Sequence, residues 1–225
     1  MVAPTLKPPQ QNRSRKAANA LLQAGLRGIE TRGIAGLSMA DVAAEAGASV
    51  GSLYFRFGDK SQFVGAALAV ALDEFRDRGF KLCDLAARKG WTERQVLEGW
   101  VAMLVGVVRD KRVIVREMIS HMAAQPDSWE PINEQRRKLE ERLFSLLFSG
   151  RGHDSLREMR LRVGLQAVAG NLIHMLVVDP GPLRIDDPSV KDTLCDLLFS
   201  YIDAPIKKDD KKPRRNRAPA KAKRQ

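Results

Sequence analysis

The chain has 225 residues, of which 44% are hydrophobic and 29% charged, and its formal net charge is +11. This apolar content is enough for a folded core. The longest apolar run, residues 63–72, is too short to cross a bilayer, and residues 1–12 contain three prolines but no apolar segment of the signal-peptide type. We therefore expect a cytoplasmic protein that has no membrane partner.

Much of the positive charge is concentrated at the carboxyl end. From Ile206 onward there are ten Lys and Arg residues and two Asp residues, a net charge of +8, which leaves +3 of the total +11 for the preceding residues. Residues 206–225 have no apolar periodicity, and we expect them to form a disordered basic tail. Such a tail either adds sequence-independent affinity for DNA through counterion release or serves only as a solvated segment.

Apolar residues recur at helical spacing through most of the chain. After a loose leader at residues 1–12, a first helix is predicted from about Ser14 to Thr31, with an apolar stripe formed by Ala17, Ala18, Leu21, Leu22, Gly25 and Ile29. Longer helices are predicted at about 60–88, 92–109, 112–125, 130–149, 155–178 and 188–202, the last with Pro188 at its first position. Together with the two short helices described next, this makes nine helices and no strand.

The two short helices are predicted within residues 38–60 and are joined at a glycine. Ser38 is a suitable N-cap for the first, with Asp41 in its first turn, and Ser49 is a suitable N-cap for the second. Gly47 lies where a chain leaving a helix often needs a positive φ. One inward face is formed by Met39, Val42, Ala43, Val50 and Leu53. This layout is typical of a helix-turn-helix, whose second helix enters the DNA major groove.

The same segment resembles the recognition-helix signature of the TetR family of bacterial transcriptional regulators. The resemblance rests on residues 47–54 (GASVGSLY) with Phe57 and Lys60, and on upstream residues placed as in that family: Ala17, Ala18, Leu21, Leu22, Gly33 and Leu37. It covers residues 13–73, about the size of the family's DNA-binding domain. It implies an all-α, nine-helix architecture in which residues 74–205 form a helical regulatory and dimerisation domain.

The predicted recognition helix lacks the side chains that most often read guanine and adenine. There is no Arg, Lys, Asn or Gln between residues 47 and 55, so we expect base contacts from serine hydroxyls and from apolar contact with thymine methyl groups. DNA shape should then carry a large share of the specificity. Phe55 either touches a thymine methyl or packs locally. The role of Arg56, where the family often has His or Tyr, is open.

Phosphate contacts are expected from other groups. The resemblance implies that Tyr54, Lys60 and Ser38 contact the DNA backbone, and Arg15 near the chain start could reach a flanking groove or phosphate. The complete set of candidate DNA-binding residues is Arg15, Ser38, Ser49, Val50, Gly51, Ser52, Tyr54, Phe55 and Lys60.

The resemblance also implies a small-molecule effector, and a coupling helix at residues 60–88 that moves the recognition helices apart. Methionine and aromatic side chains on the predicted helices suit an apolar or aromatic effector because they are large and adaptable. The same residue types more often form an ordinary core, and that alternative stays open. The candidate pocket residues are Trp100, Met103, Leu104, Val107, Met118, Met122, Phe144, Leu147 and Gln166.

The last two predicted helices are the expected surface for self-association. Apolar residues between 161 and 177 point around more than one face of their helix, so more than one side must be covered. The resemblance implies a homodimer built from these two helices of each subunit, and the alternative is a central core helix within one subunit. The candidate interface residues are Leu161, Leu165, Val168, Leu172, His174, Leu194, Leu198 and Tyr201.

Residues typical of catalysis or metal binding do not converge in the sequence. The three histidines lie on three different segments, and no phosphate-binding loop, dinucleotide fingerprint or nucleophile elbow occurs. Glu117 and His121 are the best metal candidate, and a surface pair is the more common arrangement. Cys83 and Cys195 are expected to be buried free thiols. We predict no enzyme activity, no metal and no cofactor.

These features together predict a sequence-specific transcriptional regulator. We expect a repressor that binds a palindromic operator in double-stranded DNA as a homodimer and is released by a small apolar or aromatic effector. The alternative is a non-specific architectural DNA-binding protein that depends on the basic tail.

Overall fold

The computed structural model describes residues 9–124, 129–149, 154–178 and 181–205. Within these ranges there are nine α-helices and no strand: α1 (Pro9–Arg32), α2 (Met39–Glu45), α3 (Val50–Phe57), α4 (Lys60–Lys89), α5 (Glu93–Asp110), α6 (Arg112–Ala124), α7 (Trp129–Leu147), α8 (Ser155–Val177) and α9 (Val190–Ile202). The prediction of an all-α, nine-helix fold is confirmed. No helix in the described ranges is long and apolar enough to span a membrane. The predicted basic tail lies outside them.

Side-chain caps set the ends of the short helices, as the sequence predicts. Ser38 Oγ accepts a hydrogen bond from the backbone N–H of Asp41 at 3.3 Å, and Ser49 Oγ accepts one from that of Ser52 at 3.1 Å. Gly47 has a φ of +66°, which only glycine adopts without steric cost. Reciprocal capping boxes begin the next two helices, α4 (Asp59 with Gln62) and α5 (Thr92 with Gln95).

Two helix starts differ from the prediction. The first helix begins at Pro9, so residues 9–12 of the predicted leader are helical. The last helix begins at Val190, and Pro188 lies outside it. The segment before α9 is held as a turn, because the Asp187 carboxylate accepts a hydrogen bond from the Arg184 N–H at 2.6 Å. The Arg109 guanidinium of α5 also donates to the carbonyl of Ile185 at 2.9 Å, which delays the start of the helix.

The first hydrophobic core is formed by α1 to α4 and one side of α6. Phe63 of α4 is fully buried, and its ring meets that of Phe57 edge-on with 5.2 Å between centroids. Ile114 of α6 is also buried in this core. Two predicted inward residues are exposed instead: Ala17 lies near the start of α1, and Val50 is the first residue of α3, where the neighbouring helices do not cover them.

The second core is formed by the later half of α4 with α5, α7, α8 and α9. The long helix α4 therefore contributes to both cores, with Phe63 in the first and Cys83 in the second. Cys83 and Cys195 are buried free thiols, as predicted. Burial raises the pKa of the Cys83 thiol to about 11, so this thiol stays protonated near neutral pH.

Six of the eight candidate interface residues lie inside the subunit, and their assignment to a dimer surface is wrong: Leu161, Leu165, Val168, Leu172, Leu194 and Leu198. They pack α8 and α9 against each other and against the rest of the second core. The two helices approach closely at Gly164, where a Cβ atom would lie only 2.6 Å from Leu198 Cδ1. A second copy could reach these six side chains only if the subunit unpacked.

Alanine substitutions at two glycines inside helices can test the packing of the first core. A Cβ at Gly25 of α1 would lie 2.6 Å from two ring atoms of the buried Phe63, whereas a Cβ at Gly65 of α4 would meet nothing within 4 Å. We expect Gly25→Ala to lower the free energy of unfolding by about 1 kcal/mol, because overpacking outweighs the gain in helix propensity. Gly65→Ala should raise it by about 0.5–1 kcal/mol.

Urea unfolding followed by circular dichroism measures both variants. If Gly25→Ala proved as stable as Gly65→Ala, the close packing of α1 on Phe63 would be contradicted.

Candidate nucleic-acid interface and internal cavity

Helix α3 has one buried face and one open face. Leu53 is fully buried and Phe57 is half-buried, so both point into the first core. Phe55, about 200° around the helix from Leu53, is 94% exposed. Gly51 is one turn earlier on the same outer face, and a Cβ there would meet only Ser49 Oγ, at 4.0 Å. No part of the chain that the structure describes covers the outer face of α3.

Three hydroxyl-bearing side chains lie on or beside this outer face. Ser49 Oγ accepts the capping hydrogen bond from Ser52, which leaves its O–H proton to donate to another group. Ser52 and Tyr54 are exposed, the latter by 42%. These are the only side-chain hydrogen-bond donors on α3 besides Arg56, and hydroxyls can contact either phosphate oxygens or base edges.

Arg56, whose role the sequence left open, is turned away from the outer face of α3. Its Nη1 donates to the backbone carbonyl of Ser14 at 3.1 Å and to Ser14 Oγ at 2.8 Å. These bonds join the start of α1 to α3. The one guanidinium on α3 is therefore engaged within the subunit, and the start of α1 lies beside α3.

Unpaired cations lie close to α3, whereas the cations further along α1 are paired. Arg27 forms an ion pair with Glu45 at 2.6 Å, and Arg32 forms one with Asp41 at 2.7 Å. Besides Arg56, four cations near α3 make no ion pair with any described residue: Arg13, Arg15, Lys16 and Lys60. Three of these are at the start of α1 and the fourth begins α4, directly after α3. The surface around α3 is therefore positively charged.

A cavity of about 240 Å³ lies where α1, α4, α5, α6, α7 and α8 meet. Its apolar wall consists of Leu26, Ala71, Leu72, Phe75, Leu104, Val107, Val108, Ile114, Val115, Met118, Ala169, Leu172 and Ile173. Charged side chains from α1, α4 and α7 also reach it, among them Glu30, Glu74 and Arg76, as does Lys111 between α5 and α6. Such a cavity suits a small, mainly apolar molecule that carries a polar group.

Three of the nine candidate pocket residues line this cavity: Leu104, Val107 and Met118. The other six do not. Trp100, Met122, Phe144 and Leu147 are buried elsewhere, Met103 packs against the second core, and Gln166 is exposed. The structure thus places most of the large side chains in ordinary core. Nothing in the sequence indicated the part of the cavity wall that α1 and α4 form, because tertiary packing alone brings those helices close to α8.

Helix α6 connects the cavity to the helix-turn-helix region. Met118 lines the cavity, and Ile114 both lines it and is buried in the first core. Glu117 Oε2 accepts a hydrogen bond from the backbone N–H of Ile34, in the loop between α1 and α2, at 2.8 Å. Lys111 Nζ lies 3.4 Å from Glu30 Oε1 of α1. Lys111, directly before α6, therefore contacts α1, and Glu117 on α6 contacts the loop that follows α1.

Helix α8 carries a second apolar face, opposite the one that packs in the core. Its exposed members follow one another at helical spacing, and Leu197 and Tyr201 of α9 are exposed as well. The larger side chains on this face of α8 are Leu156, Met159, Val163 and Val177, and Val178 directly after the helix continues it. Small residues, Ala167 and Gly170, lie between them. Of the candidate interface residues, only His174 and Tyr201 are exposed.

No group of three or more His, Cys, Asp and Glu side chains in the described residues could hold a metal ion. Glu117, which with His121 was the best metal candidate from sequence, is hydrogen-bonded to Ile34 instead.

Comparison with known proteins gives two findings. A family model described as bacterial regulatory proteins, tetR family, matches residues 21–67, which include α2, α3 and the start of α4. No curated protein matches the sequence.

The second finding comes from solved structures. A protein described as a TetR-family transcriptional regulator from Mesorhizobium loti MAFF303099 has a TM-score of 0.68 at 16% identity, covering 85% of this chain and 97% of its own. One from Rhodococcus sp. has a TM-score of 0.61 at 21% identity, covering 84% and 99%. The multidrug binding protein EbrR, complexed with proflavin, has a TM-score of 0.50 at 21% identity, covering 80% and 99%.

Residues 21–67 of this chain thus match the tetR family of bacterial regulatory proteins, and the chain has the all-α fold of the solved TetR-family transcriptional regulators.

Proposed function

We propose that this protein is a transcriptional repressor that binds a palindromic operator as a homodimer and is released by a small apolar or aromatic effector. Residues 13–73 act as the DNA-binding domain and residues 74–205 as the regulatory and dimerisation domain, without enzymatic activity. The observation that carries the proposal is the uncovered outer face of α3, within the segment that matches the tetR family model and next to unpaired cations.

The charges around α3 support contact with DNA phosphates. The four unpaired cations and the hydroxyls of Ser38, Ser49 and Tyr54 are donors of the kind that position a protein on the duplex without reading its sequence. The N-terminus of α4 adds backbone N–H groups with a partial positive charge. The outer face of α3 is then left to contact the bases.

The exposed apolar face of α8 supports a homodimer. A continuous apolar stripe on a surface helix is costly to leave in water, and a twofold axis places the same stripe of a second copy opposite it. Ala167 and Gly170 allow the two helices to approach closely. Two recognition helices related by this twofold axis would read half-sites about one helical turn apart, which makes the operator palindromic.

The cavity and its position support control by an effector. Its apolar wall suits an aromatic or aliphatic molecule, and the structural neighbour EbrR, described as a multidrug binding protein, is complexed with proflavin. Leu26 of α1 and Leu72 of α4 form part of the wall. An occupant that displaced α6 would also displace Glu117 from Ile34 and so change the position of the helix-turn-helix.

The first test is a selection of random duplex DNA by the full-length protein at about 0.15 M salt, where screening limits tail-driven binding. We expect recovery of a palindromic sequence. Recovery of general duplex without a shared sequence would contradict a specific regulator and favour the architectural alternative.

The dimer surface is tested by adding a charge to the middle of the exposed stripe. We expect Val163→Glu to convert the protein from dimer to monomer, because a carboxylate would be buried without a partner at the interface. Ala102→Glu, at an exposed position of α5, is the matched control and should remain a dimer. Sedimentation velocity gives the mass. A wild-type monomer, or a dimeric Val163→Glu variant, would count against this interface.

A further inference from the structure

Phe55 is the most exposed large apolar side chain in the described part of the molecule, at 94%. The next most exposed, Met159 at 60% and Val178 at 59%, belong to the apolar stripe of α8 and are expected to be covered by a second subunit. Phe55 stands apart from that stripe, on the outer face of α3. It contributes almost no packing to the subunit, so its apolar ring is available for a contact outside it.

The neighbours of Phe55 leave room for a close approach. Gly51, one turn earlier, has no side chain, and a Cβ there would meet only Ser49 Oγ at 4.0 Å. Ser52, on the other side of the same face, is small and exposed. A surface made of glycine, serine and one projecting ring fits into the major groove with the ring placed against the base edges.

The other side chains of α3 cannot supply the usual hydrogen-bond readout. The helix contains no Lys, Asn or Gln, and its single Arg is bonded to Ser14 on α1. Among the features that base pairs present in the major groove, the only apolar one is the C5-methyl group of thymine. An aromatic ring with no polar atom can therefore discriminate bases mainly by contact with that methyl group.

We infer that Phe55 is the principal sequence-reading side chain of this protein, and that it reads the C5-methyl group of one pyrimidine in each half-site. This inference rests on the proposed function, since it requires a sequence-specific operator. It also has a consequence for modified DNA. Cytosine methylated at C5 presents the same methyl group, so at this position 5-methylcytosine should replace thymine with little loss, whereas uracil and unmodified cytosine should not.

The test is a methyl scan of the selected operator with the full-length protein. Each thymine is replaced in turn by uracil, in both half-sites at once, and the dissociation constant is measured by fluorescence anisotropy at about 0.15 M salt. We expect one symmetric pair of thymines whose replacement weakens binding by about 15-fold, or about fourfold for each buried methyl group. At the same positions, 5-methylcytosine should bind within about threefold of thymine.

The Phe55→Ala variant assigns the effect to this side chain. It should be at least as resistant to urea as wild type, because the ring is 94% exposed and alanine is the better helix former, and it should bind thymine and uracil operators equally. Tyr54→Phe is the matched control: it removes only a hydroxyl from the neighbouring residue, so it should weaken binding to both operators by the same factor. The penalty for uracil should therefore remain in Tyr54→Phe.

The outcomes separate the inference from the proposed function. If a palindromic operator is recovered but no uracil replacement weakens binding by more than about twofold, Phe55 does not read a methyl group and the repressor proposal still stands. The same conclusion follows if the uracil penalty persists in Phe55→Ala. If no specific operator is recovered, both proposals fail.

Discussion

Helix α4 runs without a break through both hydrophobic cores, and most of the molecule depends on that continuity. It has 30 residues, a length of about 45 Å, and it buries Phe63 in the first core and Cys83 in the second. A rigid helix shared between two cores can carry a displacement from one core to the other. Helix α6 adds a second connection, because it buries Ile114 in the first core and contributes Met118 to the cavity wall.

The cavity lies between these two connections, which is why an occupant could affect DNA binding from a distance. Glu117 accepts a hydrogen bond from the backbone N–H of Ile34, and Lys111 forms an ion pair with Glu30 of α1. Helix α6 can therefore shift only if these polar contacts with α1 and the loop after it are lost or rearranged. A ligand that binds one arrangement of α6 better than the other would shift the equilibrium toward that arrangement, and the ratio of its two affinities sets the size of the shift. Such coupling typically changes affinity at the second site by about 5–150-fold.

The local signals in the sequence predicted the helix-turn-helix well. Ser38, Ser49 and Gly47 act through hydrogen bonds and backbone angles within a few residues, so their roles can be inferred without the fold. The two faces of α8 could not be assigned in the same way. Both faces are apolar, and only the packing of α9 onto Gly164 determines which one is buried. The sequence consequently suggested as dimer contacts side chains of α8 that the structure buries within the subunit.

The environments of Arg56 and Phe55 could not be inferred from the sequence either. The partner of Arg56 is Ser14, 42 positions away, and no periodicity links them. Phe55 could have packed locally or remained exposed, and the burial of Leu53 on the opposite face of α3 leaves it exposed. The cavity was predicted only in part because α1, α4 and α8 meet there through tertiary packing, while large residues such as Trp100 and Phe144 fill the core instead.

The most direct test of the account is to fill the cavity without a ligand and measure the affinity for the operator. Val107→Phe enlarges a side chain that lines the cavity, whereas Ala102→Phe introduces the same side chain at an exposed position of the same helix. With folding confirmed by circular dichroism, we expect Val107→Phe to bind the operator about tenfold more weakly than wild type, and Ala102→Phe to bind as wild type does. Unchanged or tighter binding by Val107→Phe would contradict release through this cavity.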